Sequence, residues 1–243
     1  MISYGPLAGF YDRLTRDIPY DEFADFYENE FAKDGGEFRV LLDLCCGTGT
    51  LTGILASRGY EMIAADASED MLIEAREKSL GSEVMPIFLC QDAAELDLYG
   101  TVDAAICSLD GINYISMENL PEVFHKLQLF VRPGGLVIFD VKSPESFHEL
   151  DGKIFVDEDE DVLCLWRADF DYDENAIYYG MDIFSKQGEL WRRDEEEHVE
   201  YAHSPEALVS LLKDAGFTNP RLHTDCPQSG DGRLFITGKR GNF

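Results

Sequence analysis

Short apolar runs recur between residues 39 and 142, and helical patterns separate them. A continuous apolar run of five or six residues is typical of a strand that is buried on both faces of a sheet. Because strands and helices alternate at short intervals, the pattern predicts right-handed crossovers and an α/β fold with a doubly wound, mostly parallel sheet. The runs that we interpret as strands are residues 40–44, 62–66, 84–89, 102–109 and 136–141.

Further elements flank this region on both sides. Four aromatic side chains at helical spacing predict an N-terminal helix with one buried face: Phe23, Phe26, Tyr27 and Phe31. Near the other end, Ser204 and Pro205 have the residue types preferred at a helix start. Two apolar runs follow, around residues 221–223 and 234–237, and they would complete a seven-stranded sheet.

The periodicity changes at about residue 146, from where polar and apolar positions alternate. A period of two is typical of antiparallel strands with one buried face. We therefore predict an antiparallel β-meander over residues 146–201, inserted into a domain formed by residues 1–145 and 202–243. The insert is strongly acidic, since residues 151–200 contain 17 acidic and 5 basic side chains.

The whole chain is acidic as well, with 48 acidic against 20 basic residues and a formal net charge of −28. A protein that neutralises phosphates normally carries a basic stripe, and none is visible. The charge argues against direct nucleic-acid or membrane partners and favours neutral or cationic ones. No apolar stretch approaches the roughly 20 residues that span a bilayer. Residues 1–6 show no leader pattern, so we expect a cytoplasmic protein.

Six cysteines are spread along the chain without a C-x-x-C pair. A zinc site needs clustered ligands at short spacings, which this distribution does not offer. We interpret the cysteines as reduced, small apolar side chains and expect no metal.

The most informative local pattern is the glycine-bearing turn from Asp43 to Gly49, which leaves a strand and opens a helix. Its glycines allow a ligand to approach the backbone, and the first helical N–H groups can bind an anion. A nicotinamide or flavin site usually has a third glycine where this chain has Thr52. Asp43 would lie poorly beside a pyrophosphate and suits a positively charged ligand instead. The pattern therefore disfavours a nicotinamide-dependent oxidoreductase.

With its neighbours, this turn resembles the class I S-adenosylmethionine-dependent methyltransferases over residues 39–142. The motifs that carry the resemblance are Leu41–Gly49, Asp66, Gln91-Asp92-Ala93, Arg132-Pro133-Gly134-Gly135 and the later Gly216-Phe217. Residues 11–14 and Tyr20 further resemble a bacterial small-molecule methyltransferase subgroup with an inserted meander. One departure is Cys45, which occupies the family's first glycine position and narrows the space for the methionine portion.

The resemblance implies a set of contacts to S-adenosylmethionine. Asp66 would accept hydrogen bonds from the ribose hydroxyls, and Asp92 from the adenine amino group. Both aspartates sit where a helix could begin, so each could instead be a cap. The remaining implied contacts are Asp43, Cys45, Gly47 and Gly49 at the methionine end, Ala67, Met71 and Ala93 at the adenine, Ser108 and Leu109 beside the sulfonium, and Tyr11 and Tyr20 as a lid, the two tyrosines having packing as an equal alternative.

Methyl transfer from a sulfonium requires alignment and exclusion of water, and a base only where the acceptor must lose a proton. Candidates for acceptor-side chemistry are Asp110 and Tyr114 after the fourth strand, with Asn113 between them. His198 and His203 are candidate bases, against the alternative that each is solvated or hydrogen-bonded for structure. The sequence does not assign a catalytic residue among them.

We expect the meander to roof the site and to select the acceptor, because it leaves the fold just after the fifth strand. Four aromatic residues could line an acceptor pocket or pack in the meander's core: Trp166, Tyr178, Tyr179 and Trp191. The expected protein is a methyltransferase that converts S-adenosylmethionine to S-adenosylhomocysteine, acts on a small molecule, and is a monomer or homodimer. The alternative is a non-catalytic cofactor-binding or protein-interaction module on the same fold.

Overall fold

The computed structural model describes residues 4–241. Residues 1–3, part of the N-terminal stretch without a leader pattern, lie outside this range. The helices are α1 (Ala8–Leu14), α2 (Tyr20–Asp34), α3 (Thr50–Ser57), α4 (Glu69–Lys78), α5 (Leu120–Phe130), α6 (Pro144–Leu150) and α7 (Pro205–Asp214). The strands are β1 (Val40–Leu44), β2 (Glu61–Asp66), β3 (Ile87–Cys90), β4 (Val102–Cys107), β5 (Val131–Lys142), β6 (Ile154–Asp159), β7 (Val162–Asp171), β8 (Ala176–Gln187), β9 (Leu190–Tyr201), β10 (Phe217–His223) and β11 (Arg233–Arg240).

Seven strands form one sheet in the order β10-β11-β5-β4-β1-β2-β3. The strands β5, β4, β1, β2 and β3 are mutually parallel, and β11 runs antiparallel to both of its neighbours. The predicted doubly wound, mostly parallel, seven-stranded sheet is therefore confirmed. The strand order reverses between β1 and β4, and such sheets bind ligands in the crevice beyond the carboxyl ends of the strands at this point.

Several strand boundaries differ from the sequence prediction, among them the end of β4, which lies at Cys107 and not at residue 109. β3 begins at Ile87 rather than at residue 84. β5 begins at Val131 and includes Pro133-Gly134-Gly135, whereas the sequence prediction begins this strand at residue 136. Proline cannot donate a ladder hydrogen bond, and the register of β5 against β4 shifts between Val102 and Ala104 to let this segment pass.

The predicted buried face of the N-terminal helix is present on α2. Phe23, Tyr27 and Phe31 are buried against the central sheet, and Phe26 is partly buried beside them. α2 ends where Gly35 takes the left-handed conformation, with φ of 74°, and its N–H donates to the Phe31 carbonyl. Glycine adopts this conformation without the steric cost of a Cβ, so α2 covers one face of the sheet and stops before β1.

Four strands, β6 to β9, form a separate antiparallel sheet in sequential order. Its strands begin at Ile154, because the residues from Pro144 form α6, which Ser143 caps by accepting a hydrogen bond from the Ser146 N–H. The predicted start of the insert at residue 146 thus falls inside a helix. One face of this second sheet is apolar and packs against α1 and α6, and its buried residues include Phe170, Tyr179, Met181 and Ile183.

Within residues 4–241, no helix is both long enough and apolar enough to cross a membrane.

Gly135 provides a test of the β4–β5 junction. A Cβ at this position would lie 2.4 Å from the Asp103 carbonyl oxygen and 2.7 Å from Val131 Cγ1. We predict that Gly135→Ala lowers the free energy of unfolding by about 1–3 kcal/mol, because backbone must move to relieve the overlap. The matched control is Gly53→Ala in α3, where a Cβ meets nothing within 4 Å and alanine should stabilise the helix by about 1 kcal/mol. Urea unfolding that ranks Gly135→Ala as the more stable variant would contradict the prediction.

Candidate functional site

A cavity of about 670 Å³ opens beyond the carboxyl ends of β1, β2 and β4, at the switch point of the central sheet. Cofactor pockets commonly occupy about 300–1,000 Å³. Both sheets and the N-terminal segment contribute to its wall. Of the residues that the resemblance implies as cofactor contacts, the following line it: Tyr11, Tyr20, Asp43, Cys45, Gly47, Asp66, Ala67, Met71, Asp92, Ala93, Ser108 and Leu109.

The glycine-bearing turn curls under the cavity through a series of left-handed residues. Cys45 has φ of 57° and Gly47 has φ of 54°, so the backbone turns sharply straight after β1. Cys45 is accommodated because residue 111 is glycine: a Cβ there would lie 2.8 Å from Cys45 Cβ and 2.7 Å from Cys107 Sγ. The absence of a side chain at Gly111, in the loop after β4, thus makes room for Cys45 at the family's first glycine position.

Gly49 does not line the cavity, although the resemblance implies a contact there. It is the residue before α3 and has φ of 69°. A Cβ on Gly49 would lie 3.0 Å from Ala75 Cβ. The absence of a side chain at Gly49 therefore permits α3 to approach α4.

Asp43 is buried at the end of β1, where the Thr52 hydroxyl donates a hydrogen bond to its carboxylate. Burial raises the pKa of Asp43 to about 7, against the opposing effect of the Thr52 hydrogen bond. Thr52 occupies the position at which a nicotinamide fingerprint has its third glycine. Here that side chain serves to orient the carboxylate.

Asp66 joins the end of β2 to the glycine turn. Its Oδ2 accepts from the Gly47 N–H at 2.8 Å, and its Oδ1 accepts from the Ser68 N–H at 2.8 Å. Burial raises the pKa of Asp66, although the backbone N–H groups around it act in the opposite direction. The capping interpretation and the cavity position therefore coexist, because each carboxylate oxygen has a second lone pair.

Asp92 lies at the edge of the cavity and begins a short 3-10 turn, in which its Oδ1 accepts from the Ala94 N–H at 2.8 Å. Ala67, Met71 and Ala93 line the same cavity as Asp66 and Asp92. Asp92 is exposed, whereas Met71 is buried. Two carboxylates and three apolar residues thus belong to the same cavity wall.

The loop after β4 is held by Asp140 of β5. The Leu109 N–H donates to Asp140 Oδ1 at 2.8 Å, and the Asp110 N–H donates to Oδ2 at 2.9 Å. Leu109 and Asp110 are both left-handed, with φ of 54° and 59°. Non-glycine residues avoid this region unless their surroundings enforce it. Ser108 and Leu109 enter the cavity wall as a result.

Asp110 itself is buried and does not line the cavity. Its carboxylate pairs with Lys142 at 2.6 Å and with Arg233 at 2.7 Å, and Lys142 also lies 3.3 Å from Glu200. Burial alone would raise the pKa of Asp110, but the two cations hold it well below its ordinary range. Burial raises the pKa of Glu200 to about 7. Asp110 therefore belongs to a buried ionic cluster.

The other two candidates for acceptor-side chemistry, Tyr114 and His198, lie at different depths from the cavity. Tyr114 lines the cavity, whereas His198 is fully buried, with its Nδ1 3.5 Å from Tyr114 Oη. His203 is also buried, and its Nε2 lies 2.8 Å from the Ile115 carbonyl oxygen. Asn113 spans the two sheets: its amide donates to the Tyr201 carbonyl at 2.8 Å and accepts from the Lys142 N–H.

Helix α1 ties the N-terminal segment to both sheets. Asp12 accepts hydrogen bonds from the Thr48 and Thr50 hydroxyls and pairs with Lys78. On the next position, Arg13 pairs with Asp159 of β6 at 2.8 Å. These contacts hold Tyr11 against the cavity; Tyr20, at the start of α2, lines the same wall.

The second sheet supplies one wall of the cavity, and here the sequence reasoning found only part of the set. Of the four aromatic candidates Tyr178 lines the cavity, Trp166 and Tyr179 pack in the core of the second sheet, and Trp191 is exposed. Missed lining residues include Tyr4 of the N-terminal segment and Glu197, Val199 and Tyr201 of β9. The period-two pattern of β9 places the last three on one face and could have found them, whereas the sequence carries no signal for Tyr4.

Within residues 4–241, no group of three or more His, Cys, Asp or Glu side chains is arranged to hold a metal ion.

Comparison with known proteins gives consistent matches. Residues 41–135 match a family model described as a methyltransferase domain. A protein of Bacillus subtilis (strain 168) named as a methyltransferase, YqeM, is 31% identical over 98% of this chain and 97% of its own length. The crystal structure of an S-adenosylmethionine-dependent methyltransferase from Clostridium acetobutylicum ATCC 824 has a TM-score of 0.83 at 28% identity, covering 97% of this chain and 98% of that one.

The sugar N-methyltransferase KedS8 from Streptoalloteichus sp ATCC 53650 also has a TM-score of 0.83, at 21% identity, covering 99% of this chain and 94% of that chain. At this identity the likeness supports the fold. It extends over both sheets, since nearly all of each chain is covered.

The buried ionic cluster beneath the cavity yields a stability prediction. Arg233→Met should lower the free energy of unfolding by about 3–5 kcal/mol, because it leaves Asp110 and Asp140 buried without their shared cation. The matched control is Arg167→Met, whose half-exposed ion pair with Asp182 lies on the second sheet and should contribute about 0–1 kcal/mol. Equal losses for the two variants in urea unfolding would show that the buried pair has no special weight.

Proposed function

The chain belongs to the class I S-adenosylmethionine-dependent methyltransferases, and on that premise we propose that its cavity holds the cofactor and a small-molecule acceptor side by side. One observation carries this proposal: a single cavity is lined by the glycine turn with Asp66 on one side and by Tyr178, Glu197 and Tyr201 of the second sheet on the other. When bound, S-adenosylmethionine supplies a methyl group on a cationic sulfur that is already activated for in-line displacement. The chain's task is to align the two molecules and exclude water.

For the cofactor, the donor set fits a nucleoside that carries an amino acid. Asp66 holds the ribose hydroxyls with the lone pairs that Gly47 and Ser68 leave free. Asp43 faces the methionine amino group, and an adjacent cation would favour the ionised form of its carboxyl. The left-handed backbone at Cys45 and Gly47 brings main-chain groups up to the methionine portion.

At the other end of the cofactor, the part of the cavity wall that includes Asp66 and Asp92 fits an adenine ring. Ala67 and Met71 contact its faces, Asp92 accepts from its amino group, and the Ala93 N–H reaches a ring nitrogen. Support comes from the lining of the cavity, which places apolar Ala67, Met71 and Ala93 in one wall with two carboxylates. Tyr11 and Tyr20 cover the methionine portion, and Ser108 and Leu109 flank the sulfur.

Charge narrows the acceptor class. Among the residues described, those lining the cavity include four carboxylates, Asp43, Asp66, Asp92 and Glu197, and no lysine or arginine. Such a wall attracts the sulfonium and repels anions. We therefore favour a neutral or amine-bearing small molecule over a phosphorylated or nucleic-acid acceptor. KedS8 is named a sugar N-methyltransferase, and an amino sugar is one compound of this class.

The second sheet, in this proposal, roofs the site and selects the acceptor. Tyr178 on β8 pairs with Val199 on β9, and both face the cavity together with Glu197 and Tyr201. Their side chains enclose the region opposite the glycine turn. A non-catalytic module that only bound the cofactor would have no need for this second wall.

Cofactor binding tests the Asp66 assignment. Asp66→Ala should weaken S-adenosylmethionine binding by about 2–4 kcal/mol, because the ribose hydroxyls lose a charged acceptor. The matched control is Asp97→Ala, an exposed carboxylate outside the cavity wall, and it should bind as the wild type does. Calorimetric titration measures both, with urea unfolding to verify that each variant is folded. Binding of NAD by the wild type, or full affinity in Asp66→Ala, would defeat the proposal.

Acceptor selection tests the role of the second sheet. The wild type is screened with labelled S-adenosylmethionine against a panel of amino sugars, amino acid amides and phenols. With the best acceptor, Tyr178→Ala and Glu197→Gln should raise its KM or change the order of preference, and leave cofactor affinity unchanged. Trp191→Ala, on the same sheet but exposed, serves as the control. Unchanged acceptor kinetics in both cavity variants would refute selection by this sheet.

A further inference from the structure

Four polar side chains, those of Tyr4, Tyr114, His198 and Glu196, form a continuous series of contacts that begins at the cavity wall. Tyr4 Oη lies 2.6 Å from Tyr114 Oη, Tyr114 Oη lies 3.5 Å from His198 Nδ1, and His198 Nε2 lies 3.1 Å from Glu196 Oε1. The two tyrosines line the cavity, whereas His198 has no exposed surface. The chain therefore leads from the cavity to a buried imidazole.

Glu196 fixes the orientation of this imidazole. Its carboxylate accepts from the Gly5 N–H at 3.1 Å and from the Leu7 N–H at 2.9 Å, as well as facing His198. Burial alone would raise the pKa of Glu196, but these hydrogen bonds lower it, so the group is a carboxylate at neutral pH. A carboxylate only accepts hydrogen bonds. This contact favours the tautomer with a proton on His198 Nε2, in which Nδ1 faces Tyr114 Oη as an acceptor.

Two buried carboxylates behind the cavity's acceptor side are already engaged, whereas Glu197 lines the cavity itself. Asp110 and Glu200 pair with Lys142. Burial raises the pKa values of Tyr4 and Tyr114 well above 10, so neither is a phenolate at neutral pH. Each tyrosine can therefore accept a proton only if it gives up its own proton at the same time. His198 Nδ1 is the remaining acceptor on this chain of contacts.

Resting on the proposed function, the geometry points to a proton relay in which Tyr114 takes the proton that the acceptor must lose and passes its own to His198. For an ammonium acceptor, one N–H bond breaks as the proton moves to Tyr114 Oη, and the Tyr114 O–H proton moves to His198 Nδ1. The freed nitrogen lone pair then forms the bond to the methyl carbon, and the carbon–sulfur bond breaks with its electrons remaining on sulfur. Glu196 stabilises the resulting imidazolium, which follows the base-and-orienter logic of activated nucleophiles.

In this relay His198 and Glu196 are positioning residues that act through Tyr114. The 3.5 Å separation between Tyr114 and His198 is long, and such contacts commonly tighten when substrates bind. The titratable groups that face His198 are Glu196 on its own strand, Tyr179 opposite it on β8, Tyr114 after β4 and Tyr4 from the N-terminal segment. Glu200, also on β9, is turned towards Lys142.

The first test needs no acceptor. Nitrogen NMR of protein with labelled histidine, assigned with His198→Gln, reports which nitrogen of His198 carries the proton. We expect the proton on Nε2, and Tyr114→Phe should shift the Nδ1 resonance because its hydrogen-bond donor is lost. Tyr172→Phe, an exposed tyrosine of the second sheet, should leave it unchanged. A proton on Nδ1, or an Nδ1 resonance that Tyr114→Phe does not move, overturns the relay.

The second test uses the amine that the wild type methylates fastest in the acceptor panel. Tyr114→Phe and His198→Gln should lower kcat at neutral pH by about 100-fold or more with little change in the acceptor's KM, and Glu196→Gln should lower it less. The deficit should narrow as the pH approaches the pKa of the amine, because a deprotonated amine needs no base. A deficit of equal size at all pH values, or a change in KM alone, indicates a structural role and overturns the relay.

Calorimetry with S-adenosylmethionine on the same samples distinguishes failure of the relay from failure of the proposed cofactor site. Cofactor binding at wild-type affinity in the relay variants, together with an unmoved pH profile, removes the relay and leaves the methyltransferase site intact. A wild type that binds no S-adenosylmethionine removes the proposed site itself. Tyr172→Phe is the activity control, because its hydroxyl contacts only Asp151 at the surface.

Discussion

The carboxylate of Asp140 holds the centre of this structure together. It has no exposed surface, it accepts the N–H groups of two consecutive left-handed residues, and it pairs with Arg233 from the antiparallel strand β11. These contacts fix the loop after β4, and that loop carries Ser108 and Tyr114 to the cavity. Left-handed Leu109 and Asp110 would relax without this restraint. Burial raises the pKa of Asp140, and Arg233 opposes this shift. The carboxylate can therefore hold the loop only while its hydrogen-bond donors and Arg233 surround it.

The cations of the cluster also join the two sheets. Lys142 at the end of β5 lies between Asp110 and Glu200 of β9, and the amide of Asn113 donates to the carbonyl of Tyr201. Three buried carboxylates, those of Asp110, Asp140 and Glu200, thus surround two cations. Buried ion pairs of this kind offer little net stability over apolar packing, but removal of one partner is costly. The cluster therefore determines the relative position of the two sheets more than it increases the stability of their contact.

Local sequence order explains which parts of the site could be predicted. The turn from Asp43 to Gly47 and the carboxylate of Asp66 lie where a strand ends and a helix begins. The pattern of apolar residues predicts these boundaries. Gly49 looks identical to Gly47 in sequence, and only its approach to Ala75 on α4 reveals a packing role. Asp110 was a reasonable acceptor-side candidate from its position after β4, but its partners, Lys142 and Arg233, are distant in sequence. The same holds for Tyr4 and His198, which meet across nearly the whole chain.

Strand β9 divides its side chains between two tasks. Glu196, His198 and Glu200 point to the buried side, whereas Glu197, Val199 and Tyr201 line the cavity. Because neighbouring positions of a strand face opposite sides, residues that line the cavity can be exchanged one at a time without changing the interior. With the acceptor wall and the relay as proposed, a lineage built on this strand could diversify the compounds it modifies while its buried acid–imidazole pair stays untouched, so that specificity would evolve on one face and chemistry be kept on the other.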